Sequence, residues 1–204
     1  MKLLVGNLMF FMLDNLKKYD IILASNSPRR RELLKGLGIE FRVMSLPDID
    51  ESYPESLKGG EIPAYISEQK SNSYKEFLED NTLLITADTI VWLGDKQYGK
   101  PVDFEDAKSM LKELSGNTHT VYTGVTLSTK DKAKTFIAAS DVKFATLSDD
   151  EIDYYVNTFS PMDKAGAYGI QEWIGYIGVE SITGSYFNVM GLPIQRLYRE
   201  LKEF

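Results

Sequence analysis

Three consecutive arginines follow a turn sequence near the start of the chain, in the stretch ASNSPRRREL at residues 24–33. Ser27 can cap a helix and Pro28 suits its first position, so the arginines at 29–31 occupy the first helical turn. The helix macrodipole already makes that end positive, and three guanidinium groups there are unfavourable unless an anion binds. Free N–H groups at a helix N-terminus and forked arginine donors both suit phosphate oxygens. The stretch therefore indicates either a phosphate site or a solvated basic patch.

A carboxylate interrupts the most strand-like run of the sequence, LLITADTIVWL at residues 83–93. Apolar residues flank Asp88 on both sides, and burying an ionised carboxylate costs free energy unless it is paired or holds a metal. At a strand end facing a cleft, Asp88 could activate a water molecule or bind Mg²⁺. Thr89 beside it is either a ligand contact or a β-branched residue that simply suits a strand.

Three lysines occupy positions where a ligand could reach them. Ile62, Ile66 and Lys70 are spaced i, i+4 and i+8 on one predicted helix, so the lysine extends an apolar stripe that should face inward. Its ammonium either reaches the surface along the apolar stem or enters a cleft. Lys100 in YGKP and Lys164 in DKAG lie beside turn residues, and ligand contacts concentrate in loops.

Composition limits the metals and partners that the chain can bind. It has 204 residues, no cysteine and a single histidine, His119, which excludes thiolate sites and multi-histidine metal sites. A metal must therefore be held by oxygen ligands such as Glu51 and Asp88, which favours Mg²⁺ or Mn²⁺. The net charge of −7 argues against broad nucleic-acid binding. A local cluster of cations can still hold a polyphosphate.

Other nucleotide-binding and nucleophilic motifs are absent from the sequence. No G-x-x-x-x-G-K-[ST] loop occurs, and no G-x-G-x-x-G follows a predicted strand. Without a cysteine or a Ser-His-Asp set, direct attack by water is favoured over an enzyme-bound intermediate. The cations and carboxylates together indicate metal-assisted hydrolysis of a phosphorylated small molecule.

The elements that must position these residues alternate between strand and helix patterns. Strands are predicted at residues 20–25, 39–44, 82–93, 119–129, 133–145 and 174–182. Helices are predicted at residues 28–35, 61–79 and 104–114, from the Ser148 and Glu151 capping box onward, and over PIQRLYRELKEF at the C-terminus. The pattern predicts an α/β fold with a mixed twisted sheet and flanking helices.

The N-terminal stretch MKLLVGNLMFFML lacks a small-residue cleavage site and is too short to span a bilayer. We therefore expect a cytoplasmic protein that does not insert into a membrane. We divide the chain into an N-terminal leader at residues 1–19 and one domain at residues 20–204. Residues 1–11 are either an extra segment ahead of a natural start at Met12 or part of the native chain.

Five motifs occur in an order that resembles a known family. They are LASNSPRRREL, ITADTIV, GKP, LSGNTHTVYTGV, and DKAGAYGIQ through GSYFNVMGLP, and together they resemble the Maf family of nucleoside triphosphate pyrophosphatases. The resemblance implies an inosine-triphosphate-pyrophosphatase-like fold, with two lobes around a nucleotide cleft. It also implies metal-dependent hydrolysis between the α- and β-phosphates, and it is compatible with a homodimer.

The resemblance assigns roles to individual residues. It implies that Asp88 is the proton acceptor that activates water, and that Glu51 joins it near the metal. The residues implied to contact the triphosphate are Ser25, Arg30, Lys70, Lys100 and Lys164. Replacement of Arg30 by alanine should therefore weaken triphosphate binding and turnover with little loss of stability.

Three further positions resemble the branch of the family that acts on dTTP and UTP. They are Arg29 after SP, Thr89 after AD and Gln171 after GI. Glu172 and Trp173 depart from the family pattern after GIQ, where a glycine is usual, and could reshape the base pocket. The alternative is a nucleotide-sensing or cell-division regulatory protein that binds nucleotides without turnover.

Overall fold

The computed structural model describes residues 13–204. These residues form seven strands and seven α-helices, which are interspersed along the chain. The strands are β1 (Asp20–Leu23), β2 (Arg42–Val43), β3 (Thr82–Leu93), β4 (Lys96–Tyr98), β5 (Thr118–Ser128), β6 (Ala133–Phe144) and β7 (Val179–Thr183). The helices are α1 (Pro28–Lys35), α2 (Glu61–Ser73), α3 (Phe104–Leu114), α4 (Asp149–Phe159), α5 (Trp173–Gly178), α6 (Tyr186–Val189) and α7 (Ile194–Glu203). Of the predicted leader, residues 1–12 lie outside the described residues, as does the proposed alternative start at Met12.

The seven strands form one hydrogen-bonded sheet. Its order is β2, β1, β3, β5, β6 and β7, with β4 paired to β3. β1 runs parallel to both β2 and β3, whereas β4 is antiparallel to β3 and β7 is antiparallel to β6. Parallel and antiparallel pairs in one sheet, with helices between the strands, confirm the predicted α/β fold class with a mixed sheet.

Helix starts coincide with the capping residues that the sequence supplies. The Ser27 hydroxyl accepts a first-turn N–H and Pro28 opens α1. Asp103 caps α3, and Ser148 and Glu151 form the predicted reciprocal capping box at the start of α4. None of the helices within residues 13–204 combines the length and the apolar character needed to cross a membrane.

Two predicted elements are shorter in the structure. The strand predicted at residues 39–44 reduces to β2, whose two residues are exposed at the edge of the sheet. The helix predicted at residues 61–79 ends at Ser73, and a short 3₁₀ turn follows it. Tyr74 is buried there, and its hydroxyl accepts the N–H of Leu46 at 2.9 Å. Seating this side chain in the core ends the helix earlier than the local pattern predicts.

The prediction of a strand at residues 174–182 is wrong in its first half. Residues 174–178 belong to helix α5, and β7 begins at Val179. Ile174 and Gly178 are both buried at the helical spacing i, i+4. A Cβ on Gly178 would lie 3.2 Å from the Leu147 side chain. Packing against Leu147 therefore outweighs the strand propensity of the isoleucines.

The described chain groups into two compact units. Unit 1 contains residues 13–88, 124–138 and 191–204, and unit 2 contains residues 89–123 and 139–190. Each unit has buried apolar clusters of its own. One cluster of unit 1 contains Ile22, Tyr74, Leu78 and Leu84. The cluster of unit 2 includes Leu111, Leu114, Phe144, Tyr155 and Tyr168.

His119 is buried in the core of unit 2, and its Nε2 atom lies 2.8 Å from the Tyr168 hydroxyl. Its ring packs edge-on against Phe144 and Tyr168. Burial lowers the pKa of His119 from 6.5 to about 4, although the charge of Asp141 opposes this shift. The imidazole is therefore neutral in the folded protein at neutral pH.

We expect stability to fall as the pH drops from 6.5 towards 4. The unfolded chain binds a proton at His119 in this range while the folded chain does not, so the free energy of unfolding should decrease by roughly 3 kcal/mol. Urea unfolding across this range, compared with the His119→Phe variant, would measure the contribution. Because the chain has one histidine, its NMR titration reports the pKa directly. A midpoint near 6.5 in the folded protein would contradict the prediction.

Candidate active site

The interior of unit 1 brings Asp88 together with Lys70 and Glu51. Lys70 Nζ donates to Asp88 Oδ1 at 2.7 Å and lies 2.8 Å from Glu51 Oε1. The side chains of Lys70 and Asp88 are each only 13% exposed, whereas Glu51 is half exposed. The mostly buried Asp88 carboxylate is thus paired with a cation, as its burial requires. The same Lys70 ammonium also contacts the Glu51 carboxylate.

The predicted apolar stripe of α2 places this ammonium. Ile62 and Ile66 are buried, and Lys70 continues their row into the interior, which is one of the two alternatives that the sequence left open. The lysine therefore does not extend to the surface. Because Lys70 lies on α2, the position of this helix determines whether the Asp88 carboxylate has its cationic partner.

Small and hydroxyl-bearing residues hold α2 very close to β5. The Ser67 hydroxyl lies 3.0 Å from that of Thr126, and the Ser71 hydroxyl lies 2.6 Å from that of Ser128. One turn earlier in the helix, the backbone of α2 passes directly over Gly124, where any Cβ would lie 2.3 Å from backbone atoms of Pro63. Sequence reasoning missed these residues. The spacing of Pro63, Ser67 and Ser71 at i, i+4 and i+8 is the pattern that could have revealed them.

Arg30 uses its guanidinium to bind the backbone of unit 1. Its Nε donates to the carbonyl of Gly191 at 2.8 Å and Nη1 donates to the carbonyl of Ala87 at 2.8 Å. Burial lowers the pKa of Arg30 from its ordinary value, while the carboxylate of Asp88 opposes that shift. Arg30 thus fixes the residue that immediately precedes Asp88, a role that the sequence did not predict.

These contacts raise the loss of stability that we expect when Arg30 is replaced. Arg30→Met leaves two carbonyls without their donors, so we expect the free energy of unfolding to fall by about 2 kcal/mol or more. Arg31→Met is the matched control, because Arg31 is exposed and its guanidinium donates to the carbonyl of Asn26 at the surface. It should change stability by less than about 0.5 kcal/mol. Denaturant unfolding of both variants tests the difference, and equal stability of the two would contradict the buried role of Arg30.

The remaining predicted residues of unit 1 lie around the start of α1. Ser25 is buried, and its hydroxyl accepts the N–H of Ser27 at 3.2 Å. Arg29 is partly buried in the first turn, close enough to Arg30 for the two charges to interact. Unit 1 therefore contains Ser25, Arg29, Arg30, Glu51, Lys70 and Asp88 of the predicted site.

Unit 2 carries the other four predicted residues on separate segments. Thr89 lies in β3, and its hydroxyl is 3.0 Å from that of Thr123. Lys100 is exposed after β4 and forms no hydrogen bond or ion pair with any residue in the described part of the chain. The amide oxygen of Gln171 is buried, with no hydrogen-bond partner among residues 13–204. A buried acceptor without a donor is costly, so Gln171 is suited to accept from a ligand.

Lys164 is the most buried of the predicted lysines, with 7% of its surface exposed. Its Nζ lies 2.7 Å from Asp163 Oδ1 and 3.2 Å from Glu172 Oε1. Glu172, which departs from the family pattern, thus contacts Lys164, a residue predicted to bind phosphate. Trp173, the second departure, packs edge-on against Tyr154.

The carboxylates of unit 1 can supply part of a Mg²⁺ site. No cluster of three or more His, Cys, Asp or Glu side chains with metal-ligand geometry occurs within residues 13–204. Mg²⁺ is usually bound by one or two carboxylates, with water and substrate phosphates completing its octahedron. Asp88 and Glu51, which converge on Lys70 Nζ, fit that kind of site.

Comparison with known proteins identifies the family of the chain. Residues 20–204 match the family described as Maf-like protein. The chain is 62% identical over 192 residues to the dTTP/UTP pyrophosphatase of Bacteroides thetaiotaomicron, covering 94% of this chain and 100% of that protein. It is 60% identical over 192 residues to the dTTP/UTP pyrophosphatase of Bacteroides fragilis, with the same two coverages of 94% and 100%.

A solved structure shares the fold. The Staphylococcus aureus Ham1 protein superposes with a TM-score of 0.51 at 20% identity, covering 90% of this chain and 98% of that one. This match agrees with the predicted fold class. Because the family match covers residues 20–204, the chain belongs to the Maf family.

Proposed function

We propose that this protein is a hydrolase that converts nucleoside triphosphates, foremost dTTP and UTP, to the monophosphate and pyrophosphate. The observation that carries the proposal is the mostly buried Asp88 carboxylate. Lys70 Nζ lies 2.7 Å from it and also contacts Glu51. Relatives at 60–62% identity are named dTTP/UTP pyrophosphatases, which supports this substrate class. We assign the activity to residues 20–204 as one catalytic domain, since the family match covers both units.

Asp88 acts as the general base. Lys70 binds its Oδ1 atom and fixes the carboxylate plane, and we assign Oδ2 to accept a proton from the attacking water. The water oxygen then forms a bond to the α-phosphorus while the bond from that phosphorus to the bridging oxygen of pyrophosphate breaks. No side chain forms a covalent bond to the substrate, in agreement with the absence of cysteine.

A bound Mg²⁺ or Mn²⁺ would neutralise phosphate charge and stabilise the leaving pyrophosphate. Asp88 and Glu51 are the carboxylates that would hold it. The cations that we assign to the triphosphate are Arg30, Lys70, Lys100 and Lys164, with the Ser25 hydroxyl as a further donor. The exposed Lys100 ammonium can reorient towards a phosphate without breaking a contact within residues 13–204.

Base selection is assigned to Arg29, Thr89 and Gln171. Thymine and uracil present an imide N–H between two carbonyl oxygens. The buried Gln171 oxygen can accept such an N–H, and its amide NH₂ can donate to a neighbouring carbonyl. Cytosine has a bare nitrogen at the imide position, so in the same pose it would place an acceptor against the buried Gln171 oxygen.

A substrate panel tests the proposal. The protein is incubated with Mg²⁺ and equal concentrations of dTTP, UTP, dCTP, dATP and dGTP, and pyrophosphate and monophosphate are measured in parallel. We expect dTTP and UTP to be hydrolysed with the highest kcat/KM. Nucleotide binding by calorimetry without pyrophosphate release from any of them would contradict the proposal and indicate a nucleotide sensor.

A further inference from the structure

The two carboxylates that contact Lys164 differ in their exposure to solvent. Asp163 Oδ1 is the nearer, at 2.7 Å from Nζ, yet 58% of the Asp163 side chain is exposed. Glu172 Oε1 is 3.2 Å from Nζ, and only 21% of the Glu172 side chain is exposed. One ammonium therefore has an exposed partner from the adjacent residue and a more deeply buried partner eight positions along the chain.

A hydrogen-bond chain fixes Glu172. The Tyr155 hydroxyl donates to Glu172 Oε2, and the N–H of Gly169 donates to the same hydroxyl at 2.9 Å. Burial and the Glu172 carboxylate both raise the pKa of Tyr155 above its ordinary value, so the phenol keeps its proton. Tyr155 is fully buried, and its ring stacks on Phe159 with centroids 5.2 Å apart. If Glu172 turned away, the proton of the buried Tyr155 hydroxyl would lose this acceptor.

The backbone at Gly169 is shaped to this cluster. A Cβ at residue 169 would lie 2.8 Å from Glu172 Cδ and 3.0 Å from Lys164 Cε. A side chain at residue 169 would therefore push the Glu172 carboxylate or the Lys164 stem out of place. Lys164 and Gly169 belong to the DKAGAYGIQ segment, and Glu172 follows it directly.

The contact with Asp163 lies in a different environment. When this contact opens, water can solvate the Asp163 carboxylate, which is mostly exposed, while the buried Lys164 ammonium keeps Glu172 as its partner. A phosphate oxygen can make the same short, charge-assisted bond to the ammonium. Two carboxylates and one ammonium give the cluster of Asp163, Lys164 and Glu172 a net negative charge. This charge opposes the approach of a phosphate to Lys164.

We propose that Asp163 occupies the place of a substrate phosphate oxygen on Lys164 and is displaced when the triphosphate binds, whereas Glu172, fixed by Tyr155, remains and positions the ammonium. The inference rests on the proposed function, in which Lys164 is a phosphate ligand. It assigns opposite effects to two carboxylates on the same nitrogen: Asp163 competes with substrate, and Glu172 is a positioning residue.

Four variants separate these roles. Steady-state kinetics with dTTP and inhibition by inorganic pyrophosphate are measured for Asp163→Asn, Glu172→Gln, Tyr155→Phe and Glu180→Gln. Asp163→Asn should lower both the KM and the pyrophosphate inhibition constant by about 2–5-fold. Glu172→Gln and Tyr155→Phe should raise both by about 5–20-fold, with a smaller change in kcat. Glu180→Gln is the matched control, since Glu180 pairs with Lys143 at the surface of the same unit, and it should behave as the wild type.

Several outcomes overturn the inference. A rise in KM for Asp163→Asn would show that Asp163 anchors Lys164 rather than competing for it. Lower melting temperatures with an unchanged KM for Glu172→Gln and Tyr155→Phe would reduce both to structural residues. Lys164→Met with a wild-type KM, while the wild type releases pyrophosphate, would overturn this inference and leave the proposed function standing. Absence of pyrophosphate release by the wild type would overturn both.

Discussion

Asp88→Asn should lower kcat for dTTP hydrolysis by about 10²–10⁴-fold, because an amide cannot accept the proton of the attacking water. The amide oxygen can still accept from Lys70, and Glu51 still neutralises the ammonium, so the local structure should persist. Quenched-flow or steady-state release of pyrophosphate measures the loss. Calorimetric binding of dTTP should remain within a few-fold of wild type when Mg²⁺ is omitted.

Asp80→Asn is the matched control for this variant. Asp80 also pairs with a lysine, Lys130, at 2.7 Å, but its side chain is 95% exposed at the surface of the same unit. The same change of a paired carboxylate to an amide should therefore leave kcat unchanged. A wild-type rate for Asp88→Asn, or an equal loss in both variants, would remove Asp88 from the chemistry.

Gly124→Ala should damage both stability and catalysis. The new methyl would lie 2.3 Å from the carbonyl carbon and oxygen of Pro63, which are backbone atoms and cannot rotate away. Either α2 moves off β5 or the strand bends, and overpacking of this kind costs about 1–3 kcal/mol, occasionally more. Displacement of α2 also moves Lys70 from Asp88. We therefore expect a lower melting temperature and a fall in kcat/KM of about 10²-fold, the effect of a misplacement near 1 Å.

Gly99→Ala gives the stability control, because no atom lies within 4 Å of the Cβ that it would add. Its melting temperature should match the wild type or exceed it slightly, since alanine restricts the unfolded chain. Gly124→Ala with wild-type stability and turnover would show that α2 is not held at β5 as closely as the structure has it.

Local sequence rules predicted the parts of the fold that depend on neighbouring residues. Asp103 and Ser148 start helices where their capping patterns place them, and β3 spans its predicted range. The rules failed where a distant contact decides the outcome. Tyr74 ends α2 because the core accepts its ring, and Ile174 becomes helical because it packs with Leu147.

The candidate site shows the same division. The inward direction of Lys70 follows from its spacing to Ile62 and Ile66, and the strand context of Asp88 follows from its apolar neighbours. No spacing rule could show that Arg30 binds the carbonyls of Ala87 and Gly191, because Gly191 is distant in the sequence. Part of the positive charge at the start of α1 therefore has a structural role, because Arg30 binds the carbonyl of Ala87, the residue before Asp88 in β3.

The position of the new oxygen in the products identifies the phosphorus atom that the water attacks. Hydrolysis of dTTP in H₂¹⁸O, followed by mass spectrometry and ³¹P NMR, shows which phosphorus water attacks. Attack at the α-phosphorus, with Asp88 as the base, predicts equimolar dTMP and pyrophosphate with the label in dTMP alone. Label in pyrophosphate, or formation of dTDP and orthophosphate, would contradict the account.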